Sequence, residues 1–355
     1  MIVTVIADDY SLINGGVEHH AKVMLEKFVE SKHKAIRISY NNIFSKYVQL
    51  QRSDLVVFEG IRRVHLLFLF LFENRLLHKL IIFTHGSFMY YTRRGELKKT
   101  GYFNSLIPFW TLFDYLITGL ILRKVARVIT LSEAEKKELI YTFKLPDDQV
   151  KVLDNFVLNY GSDSTHEQAF DPSNTYSELI ESKKPYVCTV SRIDKRKNIV
   201  SAVIASQQVN LNYILAGKDQ GGLKRILKVV RRLSINNFTY IGKISDMDKF
   251  ILIKNSIGYL QTSYFEMVPF SVYEALSLGK PVLLTKLSYI GDLPHIVKCY
   301  SDVSSIREGL NKLTRMSKLE GTYDIEEITN LKTADEIFSE FMSFIRLPRR
   351  FLDTE

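Results

Sequence analysis

Short apolar runs rich in β-branched residues recur along the chain and alternate with segments of helical periodicity. In residues 17–31, apolar positions recur at the three- and four-residue spacing of an amphipathic helix. This alternation predicts βαβ units, and therefore parallel sheets covered by helices. The predicted strands are 2–7, 54–60, 80–86, 126–132 and 150–155 in the first half, and 186–192, 212–218, 238–243, 257–263 and 281–285 in the second.

The alternation breaks at residues 159–185, where Ser, Asn, Asp and Gly replace apolar periodicity. Such a composition is typical of a connecting segment. The chain has 355 residues, more than one domain usually contains. We therefore predict two α/β domains, residues 1–165 and 175–335. Ligands of open parallel sheets bind beyond the carboxyl ends of the strands, so we expect a site in a cleft between the two domains.

Composition favours a cytoplasmic protein. The two cysteines, Cys188 and Cys299, lie in apolar strand-like runs, as buried thiols of a reducing compartment do. The first residues, MIVTVIADDY, lack the basic start of a secretory signal.

The formal charge of +9 is concentrated in residues 62–99, which hold eight basic and two acidic residues. This patch is interleaved with the apolar run 64–72 and followed by the apolar run 106–122, unlike the polar, aromatic-studded groove of a nucleic-acid-binding protein. We therefore expect no nucleic-acid partner. An anionic membrane surface fits residues 62–122 better, and it would place the protein peripherally on the inner face of the membrane.

The run 106–122 has three possible structures. Its 17 residues are at the lower limit for crossing a bilayer, and Pro108, Asp114 and Gly119 interrupt it. A helix buried in the core and a helix lying at a membrane interface both fit the same pattern.

A basic motif follows the first strand of the second half. In SRIDKRKNI, Arg192 ends the strand region and Lys197 stands just before a helix that begins near Asn198. A guanidinium and an ammonium group beside a helix N-terminus suit a phosphate or diphosphate. A solvated basic turn would have the same composition.

Two glutamates stand eight positions apart in SYFEMVPFSVYEALSLGKPVLLT, residues 263–285. The pattern predicts a loop with Glu266 after a buried strand, Pro269 near a helix start, and Glu274 within the first turns of that helix. Carboxylates accept hydrogen bonds from the hydroxyls of a sugar or ribose. A solvated loop acid and an acid favoured by the helix dipole are the alternatives.

Residues of the first half give weaker signals. Gly15 and Gly16 lie between the first strand and the first helix, where a backbone can approach a ligand closely. A dinucleotide-binding fingerprint would need a further glycine and a later acid, and both are missing. His85 follows a strand on the expected ligand side, where turn and functional roles are equally open. No metal-ligand spacing, nucleophile elbow or Walker motif occurs in the sequence.

Taken in order, these motifs resemble glycosyltransferase family 4 over about residues 1–300. The resemblance is carried by NGGVEHHAKVML, THGSF, VITLSEAEKKEL, VLDNFV, SRIDKRKNI, LAGKD, YIGKIS and EMVPFSVYEALSLGKPVL. It implies an α/β protein of the GT-B fold, with two Rossmann-like domains facing a central cleft. It also implies a retaining enzyme that uses a nucleotide-sugar donor, without a cofactor or metal, and a glycan or lipid-linked acceptor.

The resemblance also implies roles for single residues. Arg192 and Lys197 would hold the donor diphosphate, and Glu274 the ribose hydroxyls. Glu266 and His85 would contact the transferred sugar. The glycine loop and the residues around the helix start would complete the donor site; these are Gly15, Gly16, Val268, Pro269 and Phe270.

Three further expectations come from the resemblance. Ser132 and Asn155 would have supporting roles. A C-terminal helix at about 335–355 would pack back onto the first domain. Members commonly have Gly-Phe-Gly where this chain has Met267, Val268 and Pro269. Since proline lacks an N–H, a GT-B protein that binds nucleotide sugars or glycans without turnover is the alternative.

Overall fold

Two compact units make up the chain. The first comprises Met1–Arg94, Asn104–Asn155 and Lys332–Glu355, and the second comprises Gly95–Phe103 and Phe156–Leu331. The structure, a computed structural model, describes residues 1–7, 16–60, 67, 71, 74–86, 88, 93–100, 110–156, 176–291, 293, 295–318 and 332–346.

The first unit is built on a six-stranded parallel sheet. Its strands are β1 Ile2–Ala7, β2 Lys34–Ser39, β3 Leu55–Glu59, β4 Leu80–Phe83, β5 Arg127–Thr130 and β6 Val150–Val152. Their order is β2-β1-β3-β4-β5-β6. The central strands are buried along nearly their whole length, which explains why they read as continuous apolar runs.

The second unit repeats this design with another six-stranded parallel sheet. Its strands are β7 Tyr186–Val190, β8 Asn212–Ala216, β9 Phe238–Tyr240, β10 Gly258–Gln261, β11 Val282–Thr285 and β12 Ile296–Cys299. Their order is β12-β11-β10-β7-β8-β9. Cys188 and Cys299 are buried free thiols of this sheet.

Helices alternate with these strands along the chain. They are α1 Gly16–Glu30, α2 Tyr47–Gln51, α3 Asn74–Leu77, α4 Arg94–Lys99, α5 Trp110–Lys124, α6 Glu133–Phe143, α7 Ser177–Lys183, α8 Ile199–Gln208, α9 Leu223–Arg232, α10 Asp246–Lys254, α11 Phe270–Ser277, α12 Val303–Ser317 and α13 Ala334–Arg346. Helix α13 belongs to the first unit, where the Phe341 ring lies 5.8 Å from Phe28 of α1 and 5.7 Å from Phe83 of β4.

The predicted fold class is confirmed, because each unit is an α/β domain with a parallel sheet. All ten predicted strands are present, and the structure adds β2 and β12, which are edge strands. Edge strands are less buried, so charged residues such as Lys34 and Arg37 break the apolar run that predicts a strand. Within the predicted connecting segment 159–185, residues 177–183 form α7, and residues 157–175 lie outside the described residues.

Helix α5 includes most of the run 106–122 and presents two different faces. Ile121 and Leu122 are buried, whereas Leu116 and Leu120 are 53% and 44% exposed. None of the helices in the described ranges is long and apolar enough to cross a membrane. The run therefore combines a core face with an exposed apolar face. Residues 106–109 and most of 61–73 lie outside the described residues.

Gly217, directly after β8, allows a close approach of two backbone segments. Its φ is +135°, and a Cβ atom there would lie 1.8 Å from the backbone oxygen of Ser191. Gly217→Ala should therefore lower the free energy of unfolding by about 3 kcal/mol or more, because both backbones must move. Urea unfolding of the full chain measures this loss. Gly291→Ala, where a Cβ meets nothing within 4 Å, is the matched control. Equal unfolding midpoints for both variants would contradict the close approach.

Candidate functional site

The order of strands in the second sheet creates a crevice at its carboxyl edge. Strand β7 lies between β8 and β10, so the chain proceeds to one side of β7 first and to the other side afterwards. Loops that leave neighbouring strands at such a switch point diverge, and ligands of doubly wound sheets bind there. The loop after β7 carries Arg192 and Lys197, and the loop after β10 carries Glu266.

The loop after β7 is held by its own polar side chains. Asp194 Oδ1 accepts a hydrogen bond from Lys197 N at 3.2 Å and so closes a 3₁₀ turn over 195–197. Asn198 follows in the left-handed region, with φ 52°. Its Nδ2 donates to the backbone oxygens of Thr262 at 3.1 Å and Ser301 at 2.7 Å. These bonds attach the β7 loop to the segments that follow β10 and β12.

Glu266 joins the two loops through its buried carboxylate. Its Oε1 accepts hydrogen bonds from Lys197 Nζ at 2.6 Å, Gln261 Nε2 at 2.6 Å and Ser263 Oγ at 2.5 Å. Its Oε2 lies 3.2 Å from Arg196 Nη1. This Glu266 network therefore contains one acid and two basic residues.

The Glu266 network keeps its acid ionised. Burial alone would raise the pKa of Glu266, but the charges of Lys197 and Arg196 and the bonds from Lys197 and Ser263 outweigh it and lower this pKa to about 2. Asp194 also interacts electrostatically with Lys197. The loop after β7 carries four basic residues, Arg192 and 195–197, against the two acids Asp194 and Glu266, so a positive charge remains that an anionic ligand could neutralise.

Arg192 and Arg196 differ in their surroundings. Arg196 contacts Glu266, and its guanidinium lies 5.4 Å from the centre of the Phe265 ring. Arg192 is half-buried and forms no ion pair with any residue in the described ranges. Arg192 is therefore the guanidinium of this loop that the described structure leaves for a ligand.

Glu274 lies on α11, as the sequence predicts, and is buried. Its Oε1 accepts a hydrogen bond from Lys249 Nζ of α10 at 2.8 Å. Pro269 precedes the first helical residue, so its missing N–H costs the helix no hydrogen bond. Val268 is buried, and the Phe270 ring lies edge-on to Phe156, with 5.3 Å between the ring centres.

The first sheet has its own switch point, between β1 and β3, and three titratable side chains meet near it. Glu59 ends β3, His20 lies on α1 and His85 follows β4. Glu59 Oε2 lies 2.9 Å from His20 Nδ1 and 2.6 Å from His85 Nε2. All three side chains are buried. Of the predicted glycine loop, Gly16 is the first residue of α1, and Gly15 lies outside the described residues.

A second acid, Glu135 of α6, holds the turn that carries His85. It accepts hydrogen bonds from Thr84 Oγ1 at 2.6 Å, Gly86 N at 2.9 Å and Leu131 N at 3.0 Å. Burial raises the pKa of Glu135 despite these bonds. Ser132 caps the same helix, since its Oγ accepts a bond from Glu135 N at 3.1 Å. Asn155, which follows β6, is buried.

The group of His20, Glu59 and His85 has the donor atoms of a metal site but the spacing of a hydrogen-bonded cluster. Within the described ranges, it is the one group of at least three His, Cys, Asp or Glu residues whose potential ligand atoms lie within 4.8 Å of one another. Tetrahedral zinc ligands about 2.05 Å from the ion are about 3.3 Å apart. The contact of 2.6 Å between Glu59 and His85 is shorter, as expected for a shared proton.

Sequence reasoning placed Lys197, Glu266 and Glu274 in the same site but missed their partners. Arg196 could not be told from its basic neighbours in KRK, and Gln261 and Lys249 belong to segments with no distinctive pattern. Glu59 had a usable signal. A carboxylate at the end of the apolar run DLVVFEG is costly to bury without a partner, so it predicts one.

Comparison with known proteins agrees with this architecture. Residues 172–313 match the family model described as glycosyl transferases group 1. This match lies in the second unit and confirms the predicted enzyme class, a glycosyltransferase. No curated protein sequence matches the chain significantly.

Solved structures resemble the chain over nearly its whole length. Sucrose-phosphate synthase from Thermosynechococcus elongatus is 14% identical, with 98% of each chain covered and a TM-score of 0.75. WaaG, a glycosyltransferase involved in lipopolysaccharide biosynthesis, is 13% identical, with 98% of this chain and 100% of that chain covered and a TM-score of 0.69. An E. coli protein described as trehalose-6-phosphate bound with UDP-2-fluoro glucose is 13% identical, with 99% and 100% covered and a TM-score of 0.63. These likenesses show the GT-B fold.

The lowered pKa of Glu266 predicts how stability changes with acid. In the unfolded chain the Glu266 carboxyl has its ordinary pKa of 4.5, whereas in the folded protein its pKa is about 2. The contribution of Glu266 to the free energy of unfolding is therefore complete above pH 4.5 and is lost as the pH falls towards 2. Glu266→Gln should flatten the pH dependence of unfolding in this window. It should also cost about 3 kcal/mol at neutral pH, because Lys197 and Arg196 lose their counter-charge.

Urea unfolding across this pH range measures both effects. Glu308→Gln, an exposed acid of α12, is the control and should keep the wild-type slope. A Glu266→Gln curve parallel to wild type throughout the window would contradict the assigned pKa.

Proposed function

We propose that the protein is a retaining glycosyltransferase of family 4, which moves a sugar from a nucleoside diphosphate sugar to an acceptor hydroxyl. The proposed acceptor is a lipid-linked or cell-envelope glycan at the cytoplasmic face of the membrane. The observation that carries the donor assignment is the positive charge at the carboxyl edge of the second sheet, where four basic residues, Arg192 and 195–197, follow β7 and two acids, Asp194 and Glu266, offset part of their charge.

Charge separation explains why a diphosphate donor suits this edge. When the bond to the anomeric carbon breaks, negative charge grows on the leaving diphosphate. Arg192 and Lys197 stabilise that charge electrostatically, and the first N–H groups of α11 add to the positive potential. Because protein cations neutralise the diphosphate, the proposal includes no metal ion. Glu274 and Glu266 accept hydrogen bonds from the ribose and the transferred sugar, and His85 contacts that sugar.

The comparisons support this donor class. The match to glycosyl transferases group 1 covers β7, β10 and α11, the elements that carry the proposed donor residues. The E. coli structure that shares the fold is described with UDP-2-fluoro glucose, and another neighbour, TarM from S. aureus, with UDP. The name of WaaG, which concerns lipopolysaccharide, supports an envelope glycan as acceptor.

A peripheral position at the membrane is supported by α5. Leu116 and Leu120 are one helical turn apart and exposed, and Arg123 and Lys124 end the same helix. An apolar strip beside basic residues is typical of a helix lying on an anionic bilayer.

The second candidate is a GT-B protein that binds nucleotide sugars or glycans without turnover. The sequence Met267-Val268-Pro269 favours it, because Pro269 offers no N–H to a phosphate at the helix start. Release of free nucleotide from a panel of nucleoside diphosphate sugars separates the candidates. Release of free nucleotide without an acceptor, or faster release when envelope glycans are added, indicates an enzyme. Binding of a donor with no release in either condition indicates the binding protein.

Arg192→Ala should lower the rate of nucleotide release about 100-fold or more, because a preorganised charge on the leaving group is lost. The fold should be retained, since Arg192 forms no ion pair with a described residue. Arg225→Ala, an exposed basic residue of α9 in the same unit, is the control and should release nucleotide at the wild-type rate. A wild-type rate for Arg192→Ala would contradict the donor assignment.

Replacing both Leu116 and Leu120 by Ser should weaken binding to vesicles that contain phosphatidylglycerol. Each leucine should contribute about 1 kcal/mol, since about half of its surface is exposed and available for burial. Co-sedimentation at low and high salt measures the binding and its electrostatic part. Leu233→Ser, an equally exposed leucine of the second unit, is the control. Equal sedimentation of both variants and wild type would contradict a membrane role for α5.

A further inference from the structure

A buried acid in the first unit contacts two histidine rings through one oxygen atom. The side chain of Glu59 is fully buried, and its Oε2 lies 2.9 Å from His20 Nδ1 and 2.6 Å from His85 Nε2. The two rings are edge-on to one another, with 5.0 Å between their centres. The strands, helix and loop that carry these residues are far apart in sequence, so their meeting depends on the fold.

The two contacts determine where the ring protons lie. An ionised carboxylate only accepts hydrogen bonds, so each ring nitrogen that contacts it must carry a proton. His20 therefore donates from Nδ1 and His85 from Nε2. The other nitrogen of His85, Nδ1, forms no hydrogen bond with a residue in the described ranges. With the Nε2 proton held by Glu59, Nδ1 is the nitrogen that carries the lone pair whenever the ring has a single proton.

The two histidine neighbours favour the ionised form of Glu59. Burial alone would raise the pKa of Glu59, but the charges of His20 and His85 and their hydrogen bonds lower it to about 2. Other polar side chains of the described residues also approach the cluster. Glu135 of α6 interacts electrostatically with His85, and the Tyr40 hydroxyl donates to the backbone oxygen of Glu59.

The backbone around His85 is held in an unfavourable conformation. His85 has φ 44°, in the left-handed region that non-glycine residues seldom occupy. Glu135 maintains this turn through its bonds to Thr84 Oγ1 and Gly86 N. Glu59 Oε1 is buried and has no hydrogen-bond partner among the described residues. Local strain and an unsatisfied buried acceptor gather at functional sites and are rarely kept in a purely structural core.

We propose that Glu59 is a positioning residue for His85. Its Oε2, which also holds His20, fixes the ring orientation of His85 and its Nε2–H tautomer, so that Nδ1 is the nitrogen that accepts a hydrogen bond from a ligand hydroxyl. That this hydroxyl belongs to the transferred sugar rests on the function proposed above. The tautomer does not depend on that function.

Nitrogen NMR of the full chain with ¹⁵N-labelled histidine tests the tautomer without any ligand. At the alkaline end of a pH series, where the ring carries one proton, the wild type should show His85 with a protonated Nε2 and a bare Nδ1. His85→Gln identifies the resonance by its loss. A wild-type His85 that is protonated on Nδ1 and bare on Nε2 would overturn the proposal.

Three variants separate the effects of the Glu59 charge, the length of the Glu59 side chain and the His20 ring. Glu59→Gln removes the charge, and its amide can also donate, so His85 should become a mixture of tautomers. Glu59→Asp keeps the charge and should restore part of the Nε2–H preference. His20→Gln leaves the contact between Glu59 and His85 and should keep this preference. If Glu59→Gln does not fold, His20→Gln still tests whether Glu59 alone sets the His85 tautomer. Glu26→Gln, an exposed acid of α1, is the control and should resemble wild type. Unchanged His85 resonances in a folded Glu59→Gln would contradict the assignment.

A kinetic measurement then tests whether the tautomer serves catalysis. With a donor found in the nucleotide-release panel, Glu59→Gln should lower kcat at least about tenfold, since acids that hold a catalytic imidazole in its working tautomer contribute more than this in known triads. The KM for the donor should change less than kcat, because the donor diphosphate binds elsewhere. Equal kcat values for Glu59→Gln and wild type would overturn the catalytic part. If no donor is turned over, the proposed function fails, and the NMR result still decides the role of Glu59.

Discussion

The second unit depends on the neutralisation of one buried carboxylate. Burying Glu266 without partners would be prohibitively costly, so the fold surrounds it with Lys197, Arg196, Gln261 and Ser263. These donors come from the loops after β7 and β10, which diverge at the switch point of the sheet. The same contacts that stabilise the acid therefore hold the two loops that form the crevice. The loop after β7 has four basic residues against Asp194 and Glu266, so it keeps a surplus of positive charge to which Arg192 contributes.

The first unit also buries a carboxylate, Glu59, but surrounds it with different side chains. Glu59 is held by two imidazole rings, whereas Glu266 is held by the ammonium group of Lys197 and the guanidinium group of Arg196. A cationic edge suits a diphosphate, and an edge with imidazole and carboxylate groups suits hydroxyls.

The fold explains why both clusters lie where they do. In each unit the chain adds strands first to one side and then to the other, and the loops at that reversal provide the side chains. Many functions share such folds, so the fold alone does not select a reaction. The choice of a glycosyltransferase rests on the match of residues 172–313, and the choice of residues within it rests on the contacts described above.

The amino-acid sequence by itself determined the two α/β units, because strands buried on both faces must be apolar along their whole length and therefore stand out. It also indicated Lys197 and Glu266, since charged residues directly after buried strands must lie at the carboxyl edge of a parallel sheet. It missed the edge strands β2 and β12, where exposure permits charged residues. Only the tertiary structure decided which side chains pair, including Glu59 with His20 and His85 and Glu266 with Arg196. These pairs join segments 26 to 70 residues apart, and their meeting depends on the order of strands in the sheet, which local periodicity does not encode.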